Sequence, residues 1–193
     1  MSKKRKVQEE GRPPKWTQTR EKRDTFNIDF VKEQQTKYIL RLRTRSQNRD
    51  WCGIHRDHFD WWLFPIDDGS RIECNLCCER DIERLLEDAL WIEGYKESLM
   101  IVARAFGWDI ERSQLTDSLD GGNWETNTYS NRDVRLYKMI RSTWLFGLKD
   151  YFASLQAFAK YIDSVWHENE GFFYGSVKLA DIHRMSLPRD ISR

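Results

Sequence analysis

The sharpest chemical pattern in the sequence is a pair of short cysteine and histidine motifs. Two residues separate Cys52 from His55, and two residues separate Cys74 from Cys77. Zinc in proteins prefers four thiolate or imidazole ligands, and this spacing lets two ligands bind one ion from a single turn. The four side chains are therefore a candidate zinc site, with free thiols as the simpler interpretation, which we favour.

The cysteines do not have the spacing of a disulfide framework. There are four of them at uneven intervals, and Cys77 and Cys78 are adjacent. A reducing, intracellular compartment fits this usage best. The charged N-terminus is not followed by the apolar segment of a secretory signal, and no apolar run approaches the ~18 residues of a membrane span. We therefore expect no membrane-spanning segment.

Common catalytic signatures are missing from the sequence. It contains no G-x-S-x-G, no P-loop, no G-x-G-x-x-G and no H-E-x-x-H. These motifs place a nucleophile, a phosphate cradle or a metal-bound water, so their absence favours a protein that is not an enzyme. An enzyme without a known signature stays open as an alternative.

Basic residues are concentrated at the N-terminus. Residues 1–23 hold nine lysines and arginines against three glutamates, a net charge of +6, which leaves −5 on residues 24–193 within the total of +1. The segment lacks apolar periodicity, so we predict that residues 1–23 are disordered. Two basic clusters in it resemble a nuclear import signal, and they consist of Lys3, Lys4, Arg5, Lys6, Arg20, Lys22 and Arg23.

This basic tail predicts the nuclear import machinery as a partner. The expected location is the nucleus or nuclear periphery, and also the cytoplasm. A solvated tail without a partner is the plainer alternative, and the same charges could bind nucleic acid without sequence preference. A second basic run from Lys37 to Arg49 is most simply a solvated face.

The aromatic residues and the apolar spacing predict a single helical domain over residues 24–168. Residues 26–49 favour a helix, although alternation over residues 38–45 also permits a short strand. Residues 79–106 read as helix with a break near Asp88 or Gly94, ending at Gly107. Two further helices are expected on either side of Gly147, after a polar loop over residues 113–130. Residues 169–193 are predicted to be a C-terminal extension or a frayed tail.

A short aromatic element over Asp57–Phe64 is expected to stop at Pro65, because proline disfavours helix at the residue before it. Trp61 and Trp62 are adjacent, so they cannot both point inward from a regular element. Core packing is the favoured interpretation of this cluster. As an alternative, Trp61 could line a groove that accepts an aromatic side chain of a peptide.

Three ordered stretches resemble the conserved region of the opioid growth factor receptor family. They are residues 58–65, with the sequence HFDWWLFP, residues 95–107, and Trp124 followed by residues 134–158. Order and spacing agree over roughly residues 55–165. The positions that match the family pattern are His58, Trp62, Leu63, Phe64, Pro65, Gly107, Trp124, Arg135, Ile140, Gly147, Tyr151, Leu155 and Phe158.

The resemblance implies a globular, all-α domain. Animal members of that family bind an enkephalin peptide, associate with the nuclear envelope and restrain proliferation. We therefore expect a non-enzymatic, receptor-like module that binds a protein or peptide and needs no cofactor. The alternative is a zinc-stabilised nuclear module that contacts nucleic acid or chromatin.

Overall fold

The computed structural model describes residues 26–56, 58–67, 79–117, 121–124, 132–165, 173–174 and 177–186. In chain order, the elements are α1 (Ile28–Gln47), α2 (Trp51–Ile54), α3 (Asp60–Leu63), α4 (Glu79–Leu86), α5 (Ala89–Ala105), β1 (Trp108–Asp109), β2 (Gln114–Leu115), α6 (Arg132–Leu145), α7 (Lys149–Val165), β3 (Phe173–Tyr174), β4 (Val177–Lys178) and α8 (Leu179–His183). The strands of the described residues form two antiparallel pairs, β1–β2 and β3–β4. The predicted all-α class is confirmed. None of the described helices is long and apolar enough to cross a membrane.

Helix α1 resolves the ambiguity of the first segment in favour of helix. The Asn27 side chain caps it by accepting a hydrogen bond from the backbone N–H of Phe30. Val31, Ile39 and Leu42 are buried on its inner face, which packs mainly against α5. The alternation over residues 38–45 is therefore a helical face with charged residues on its other side, and not a strand.

The predicted break between two helices lies at Asp88. Its carboxylate caps α5 by accepting from the backbone N–H of Trp91 at 3.0 Å, and it pairs with Lys32 at 2.6 Å. Hydrogen bonds from Lys32 and then from Trp91 hold the pKa of Asp88 below its usual value. Gly94, the other candidate, lies inside α5. Asp88 therefore both starts α5 and ties it to α1.

Helix α5 ends as predicted at Gly107, which has a left-handed φ of 86°. The polar loop expected over residues 113–130 is only partly correct. Gln114 and Leu115 pair with Asp109 and Trp108 in a short antiparallel hairpin. Two-residue strands leave no periodic pattern in a sequence, so this hairpin was not predicted.

The aromatic segment and the later helices share one apolar interior. Phe59, Leu63 and Phe64 are fully buried, and α3 is a single turn that ends at Phe64, where the backbone leaves the helical conformation with φ −125°. The Ser142 hydroxyl donates to the carbonyl of Pro65 at 2.9 Å and accepts from the Tyr95 hydroxyl at 2.8 Å. This confirms the expected packing of the proline-terminated element against α6.

The C-terminal segment differs from the simplest expectation. Gly147, with φ 67°, separates α6 from α7 as predicted. Residues 179–186 belong to the predicted extension, but they are not frayed, because Ile182 and Met185 are buried in the same core. The Gln156 side chain also donates to the carbonyls of both residues. These apolar side chains were too few to give a recognisable period.

Candidate functional site

A cavity of about 540 Å³ opens between α2, the end of α5, the end of β2 and α7. That volume lies in the range of sites that hold a small molecule or a side chain of a partner. The lining residues are Arg49, Asp50, Trp51, Cys52, His55, Ala105, Phe106, Gly107, Leu115, Thr116, Gly121, Gly122, Asn123, Trp124, Phe158 and Tyr161.

One rim of the cavity is fixed by Asp50. One oxygen of its carboxylate accepts from the backbone N–H of Gly53 and so caps α2, and the other accepts from Arg45, each at 2.9 Å. This double contact places Trp51 and Cys52 at the opening. Cys52 is an exposed, free thiol.

Two glycines bring the chain after β2 against the end of α5. The backbone N–H of Gly122 donates to the carbonyl of Arg104 at 2.8 Å. A Cβ at Gly122 would lie 2.0 Å from the carbonyl oxygen of Ala105, and one at Gly107 would lie 2.7 Å from that of Gly122. Only glycine permits this close approach, which carries Trp124 to the cavity.

Three aromatic residues of the lining pack against one another, and their rings are almost fully buried. The Trp124 ring meets Phe106 at 5.1 Å and Phe158 at 5.6 Å between centroids, in edge-to-face contacts. These are favourable geometries for aromatic pairs. Arg132 lies over the Trp124 ring at 4.9 Å and donates to the Trp124 carbonyl. Arg132 therefore contacts both the ring and the backbone of Trp124.

His55 is the polar residue beside these rings. It is buried, and its ring stacks on Phe106 at 4.8 Å. Its Nδ1 lies 3.3 Å from Nη1 of Arg135, which also donates to the His55 carbonyl at 2.8 Å. A guanidinium can only donate hydrogen bonds, so Nδ1 must carry the lone pair. The proton of the neutral ring is therefore on Nε2.

The His55 ring stays neutral. Burial, and then the charge of Arg135, lowers the pKa of His55 to about 3. A contact between the ring and the Ala105 carbonyl acts in the opposite direction, although at Nε2 it lacks the geometry of a full hydrogen bond. At neutral pH the side chain is therefore a hydrogen-bond donor and not a cation.

Two lining residues carry buried polar atoms without a hydrogen-bond partner in the described part of the chain. They are Nε2 of His55 and Oγ1 of Thr116. The position of Thr116 is fixed, since its backbone N–H donates to the carbonyl of Gly107 at 3.0 Å. Buried polar groups are nearly always bonded, and an exception calls for a water or a ligand. Both atoms belong to residues of the same cavity.

A buried charged cluster lies behind His55. Lys138 donates to Asp60 at 2.8 Å, Arg135 lies 3.4 Å from the other oxygen of that carboxylate, and all three side chains are at most 5 % exposed. Arg135 also lies over the Phe59 ring at 4.9 Å. One turn further along α6, Arg141 pairs with Asp67 at 2.5 Å. This cluster fixes the orientation of Arg135 and therefore that of His55.

Comparison with protein-family models, with curated proteins and with solved structures gives no match to this chain. The resemblance to the opioid growth factor receptor family therefore stays a prediction. Of the positions that carry it, Gly107, Trp124 and Phe158 line the cavity, and Arg135 contacts His55.

The predicted zinc ligands are only partly within the described structure. Cys52 and His55 both line the cavity, while Cys74 and Cys77 lie outside the described residues. Coordination through Nε2 of His55 would move the ring proton to Nδ1, where it would face the donors of Arg135. This geometry disfavours His55 as a ligand. In the described ranges, no three His, Cys, Asp or Glu side chains converge on a possible metal position.

The remaining predicted site residues lie elsewhere. Trp61 is half-buried and stacks on His58 at 4.3 Å, and it does not line the cavity. Trp62 is also half-buried and meets Phe30 edge-on. The predicted peptide groove at Trp61 stays a prediction. The import-signal residues Lys3, Lys4, Arg5, Lys6, Arg20, Lys22 and Arg23 lie outside the described residues.

Two features of the site were not predicted from the sequence. Thr116 lines the cavity, and Arg135 helps to hold His55 neutral. Thr116 stands in a polar stretch with no distinguishing pattern. His55 was noticed only for its spacing from Cys52, which says nothing about Arg135. The three-residue spacing of Arg135, Lys138 and Arg141 was the one available signal of a cationic helix face.

Proposed function

We propose that this chain is a non-enzymatic, receptor-like binding module that holds a group of a protein or peptide partner in the cavity beside His55. The observation that supports the proposal is a cavity of about 540 Å³ that opens beside Trp51, Cys52 and Tyr161 and has both apolar and polar residues in its lining. Apolar walls with a few convergent polar groups are typical of binding sites. The resemblance to a peptide-binding family agrees with this role.

The state of His55 favours binding over catalysis. A general base needs a lone pair that can reach a substrate and a pKa near the working pH. The Nδ1 lone pair of His55 faces Arg135, and the pKa of the ring is about 3. The ring is therefore neutral at neutral pH, and it is not placed to act as a general base.

A substitution at the rim tests the proposal. Cys52 is exposed at the opening, so Cys52→Trp fills the entrance without entering the core. Leu90→Trp is the matched control, because Leu90 is 81 % exposed and does not line the cavity. Peptides are selected from a random displayed library against the full chain, and their affinities are then measured by calorimetry for the wild type and both variants.

We expect selected peptides to shift the backbone amide signals of Thr116, Gly121 and Gly122 in NMR spectra. Cys52→Trp should weaken their binding at least about tenfold, while Leu90→Trp leaves it unchanged. Failure to select any peptide, or equal binding to Cys52→Trp, would contradict the proposal.

We also propose that the basic tail directs the protein to the nucleus. Its clustered charges match the acidic grooves that import receptors use. A full-length fusion to a fluorescent protein should concentrate in the nucleus. Replacing Lys3, Lys4, Arg5 and Lys6 by alanine should spread the fluorescence into the cytoplasm, and an unchanged distribution would refute this part of the proposal.

A further inference from the structure

The outer face of α1 carries a row of basic side chains. Lys37, Arg41 and Arg45 fall four residues apart, about 6 Å from one to the next along the helix axis, and Arg49 follows just after the helix ends. We call these four residues the basic strip. We infer that the basic strip binds the phosphate backbone of a nucleic acid without sequence preference, which is a function separate from that of the cavity.

The basic strip concentrates positive charge on an acidic body. From sequence alone this run is most simply a solvated face. In the structure, Lys37 and Arg41 are exposed and form no ion pair with the described part of the chain, while Arg45 pairs with Asp50 at 2.9 Å. The strip and Asp50 together carry +3, which leaves −8 on the other residues of 24–193 within their total of −5. Such a local positive field attracts a polyanion to this face.

The side chains of the strip suit phosphate groups. Three of the four are arginines, whose planar fork of N–H donors matches two phosphate oxygens at once. Arg41 lies over the Tyr38 ring at 5.4 Å, a contact that restricts its side chain at the surface. Arg45 is bonded to Asp50 in a partly exposed pair, and such pairs are weak enough for a phosphate to share the guanidinium.

Arg49 is held in a conformation that arginine rarely adopts. Its backbone has a left-handed φ of 52°, and its N–H donates to the carbonyl of Ser46 at 3.0 Å. Glycine or asparagine is the usual residue directly after a helix in this conformation. A strained, exposed arginine there indicates that the position is used for its charge rather than for the stability of the turn.

A membrane surface is a poorer match for the strip than a nucleic acid. Helices that lie on lipid bury an apolar face in it. Within residues 37–49, Leu40 is the only large apolar side chain that is exposed, because Ile39 and Leu42 are buried in the core. Evenly spaced cations on the convex side of a helix fit a strand that carries one charge per nucleotide, since backbone contacts need no cleft.

A pair of double variants with equal loss of charge tests the inference in the full chain. Lys37→Gln/Arg41→Gln removes two charges of the strip. Lys160→Gln/Arg184→Gln is the matched control, because both residues are exposed and lie on or directly after α7 and α8, which are not among the helices that α1 mainly packs against. Fluorescence anisotropy measures binding of a labelled single strand and a labelled duplex of roughly 20 units each, at about 50 and about 200 mM salt.

We expect micromolar binding at the lower salt concentration. The strip variant should weaken it at least about tenfold and lower the slope of log affinity against log salt by about 2, while the control changes the affinity by less than about twofold. Preference for either the single strand or the duplex would support the inference, because both present the same phosphates. The tail of residues 1–23 is present in every variant and cancels in the comparison.

Arg49→Gly separates charge from folding at the end of the strip. Glycine adopts the left-handed conformation without strain, so this variant should not lower the melting temperature. It should still weaken binding of both nucleic acids about threefold or more. Unchanged binding would overturn the place of Arg49 in the strip.

Equal losses in the two double variants, or no loss in Lys37→Gln/Arg41→Gln, would overturn the inference. Polyglutamate of matched charge that binds as tightly as the nucleic acids would do the same and would indicate an acidic protein partner. Tighter binding to vesicles of anionic phospholipid would indicate a membrane instead. Neither Lys37 nor Arg41 lines the cavity, so peptides selected there should bind this variant normally, and either proposal can fail without the other.

Discussion

The two ring nitrogens of His55 face two regions that are built differently. On the Nδ1 side, Arg135 and Lys138 share the carboxylate of Asp60, so every charge there has an opposite charge within 3.4 Å. On the Nε2 side, the ring nitrogen and the Thr116 hydroxyl are buried without partners among the described residues. One side of the residue is thus tied to a buried charged cluster, and the other has no hydrogen bond of full geometry among the described residues.

The two sides of His55 are therefore expected to have different roles, one in stability and one in binding. A saturated network of buried polar groups fixes side chains in one arrangement, and breaking it costs stability. A buried polar atom without a hydrogen bond contributes no such stability. The charged cluster should therefore control folding, and the cavity should control binding.

Removing the carboxylate of the cluster should have the largest effect. Asp60→Asn leaves two buried cations beside a neutral amide and should lower the free energy of unfolding by about 3–5 kcal/mol. Chemical denaturation measures it. Asp67→Asn is the control with a smaller loss, because the Asp67 side chain is 22 % exposed. A loss below about 1 kcal/mol for Asp60→Asn would refute the structural role of the cluster.

Acid should reveal the neutral state of His55. Its pKa is about 3 in the folded protein against an ordinary value of 6.5, so the unfolded chain binds the proton more readily between these values. The stabilisation is complete above pH 6.5 and is lost as the pH falls, by about 3 kcal/mol between pH 7 and pH 4. Denaturation of wild type and His55→Gln across this range measures the difference. Parallel curves would mean that His55 is not held neutral.

Tyr95 tests the contribution of a single buried hydrogen bond outside the charged cluster. Its hydroxyl donates to Ser142 at 2.8 Å, deep in the core. Tyr95→Phe should lower the free energy of unfolding by about 1–2 kcal/mol, because the other atoms of the ring keep their packing. Thermal unfolding measures this loss. Tyr38→Phe, at a half-buried position on α1, should change the stability by less than about 0.5 kcal/mol.

Substitution of Thr116 should have the smallest effect on stability, in contrast to substitutions in the charged cluster. Thr116→Val replaces an unbonded buried hydroxyl by a methyl group and should change the free energy of unfolding by less than about 0.5 kcal/mol, or raise it slightly. A clear loss of stability would show that the hydroxyl already has a partner in the folded chain.

The helices of this fold were largely predictable from local pattern. The apolar spacing of α5 and α7, the cap at Asp88 and the left-handed Gly107 depend on neighbours within a few turns. The β1–β2 hairpin and the packed residues 179–186 were not predictable, because they are too short to repeat. Their stability comes from tertiary contacts, which a local pattern does not contain.

The candidate site was less predictable than the fold. Arg135, Lys138 and Arg141 are charged, and charged helix positions usually face water. Their burial depends on Asp60 and Asp67, which lie 74–78 residues earlier in the chain. The sequence spacing of His55 suggested a metal ligand, whereas its actual chemistry is set by Arg135. Such long-range pairings require the folded chain.

The long-range contacts of Arg135 have a consequence for folding during synthesis. Its bonds to His55 and Asp60 close chain segments of 80 and 75 residues, so the entropic cost of that closure comes before any gain. On the ribosome, α2 and α3 emerge long before α6 exists. Their final arrangement must therefore wait for the second half of the chain, and the cavity should be among the last features to form during synthesis.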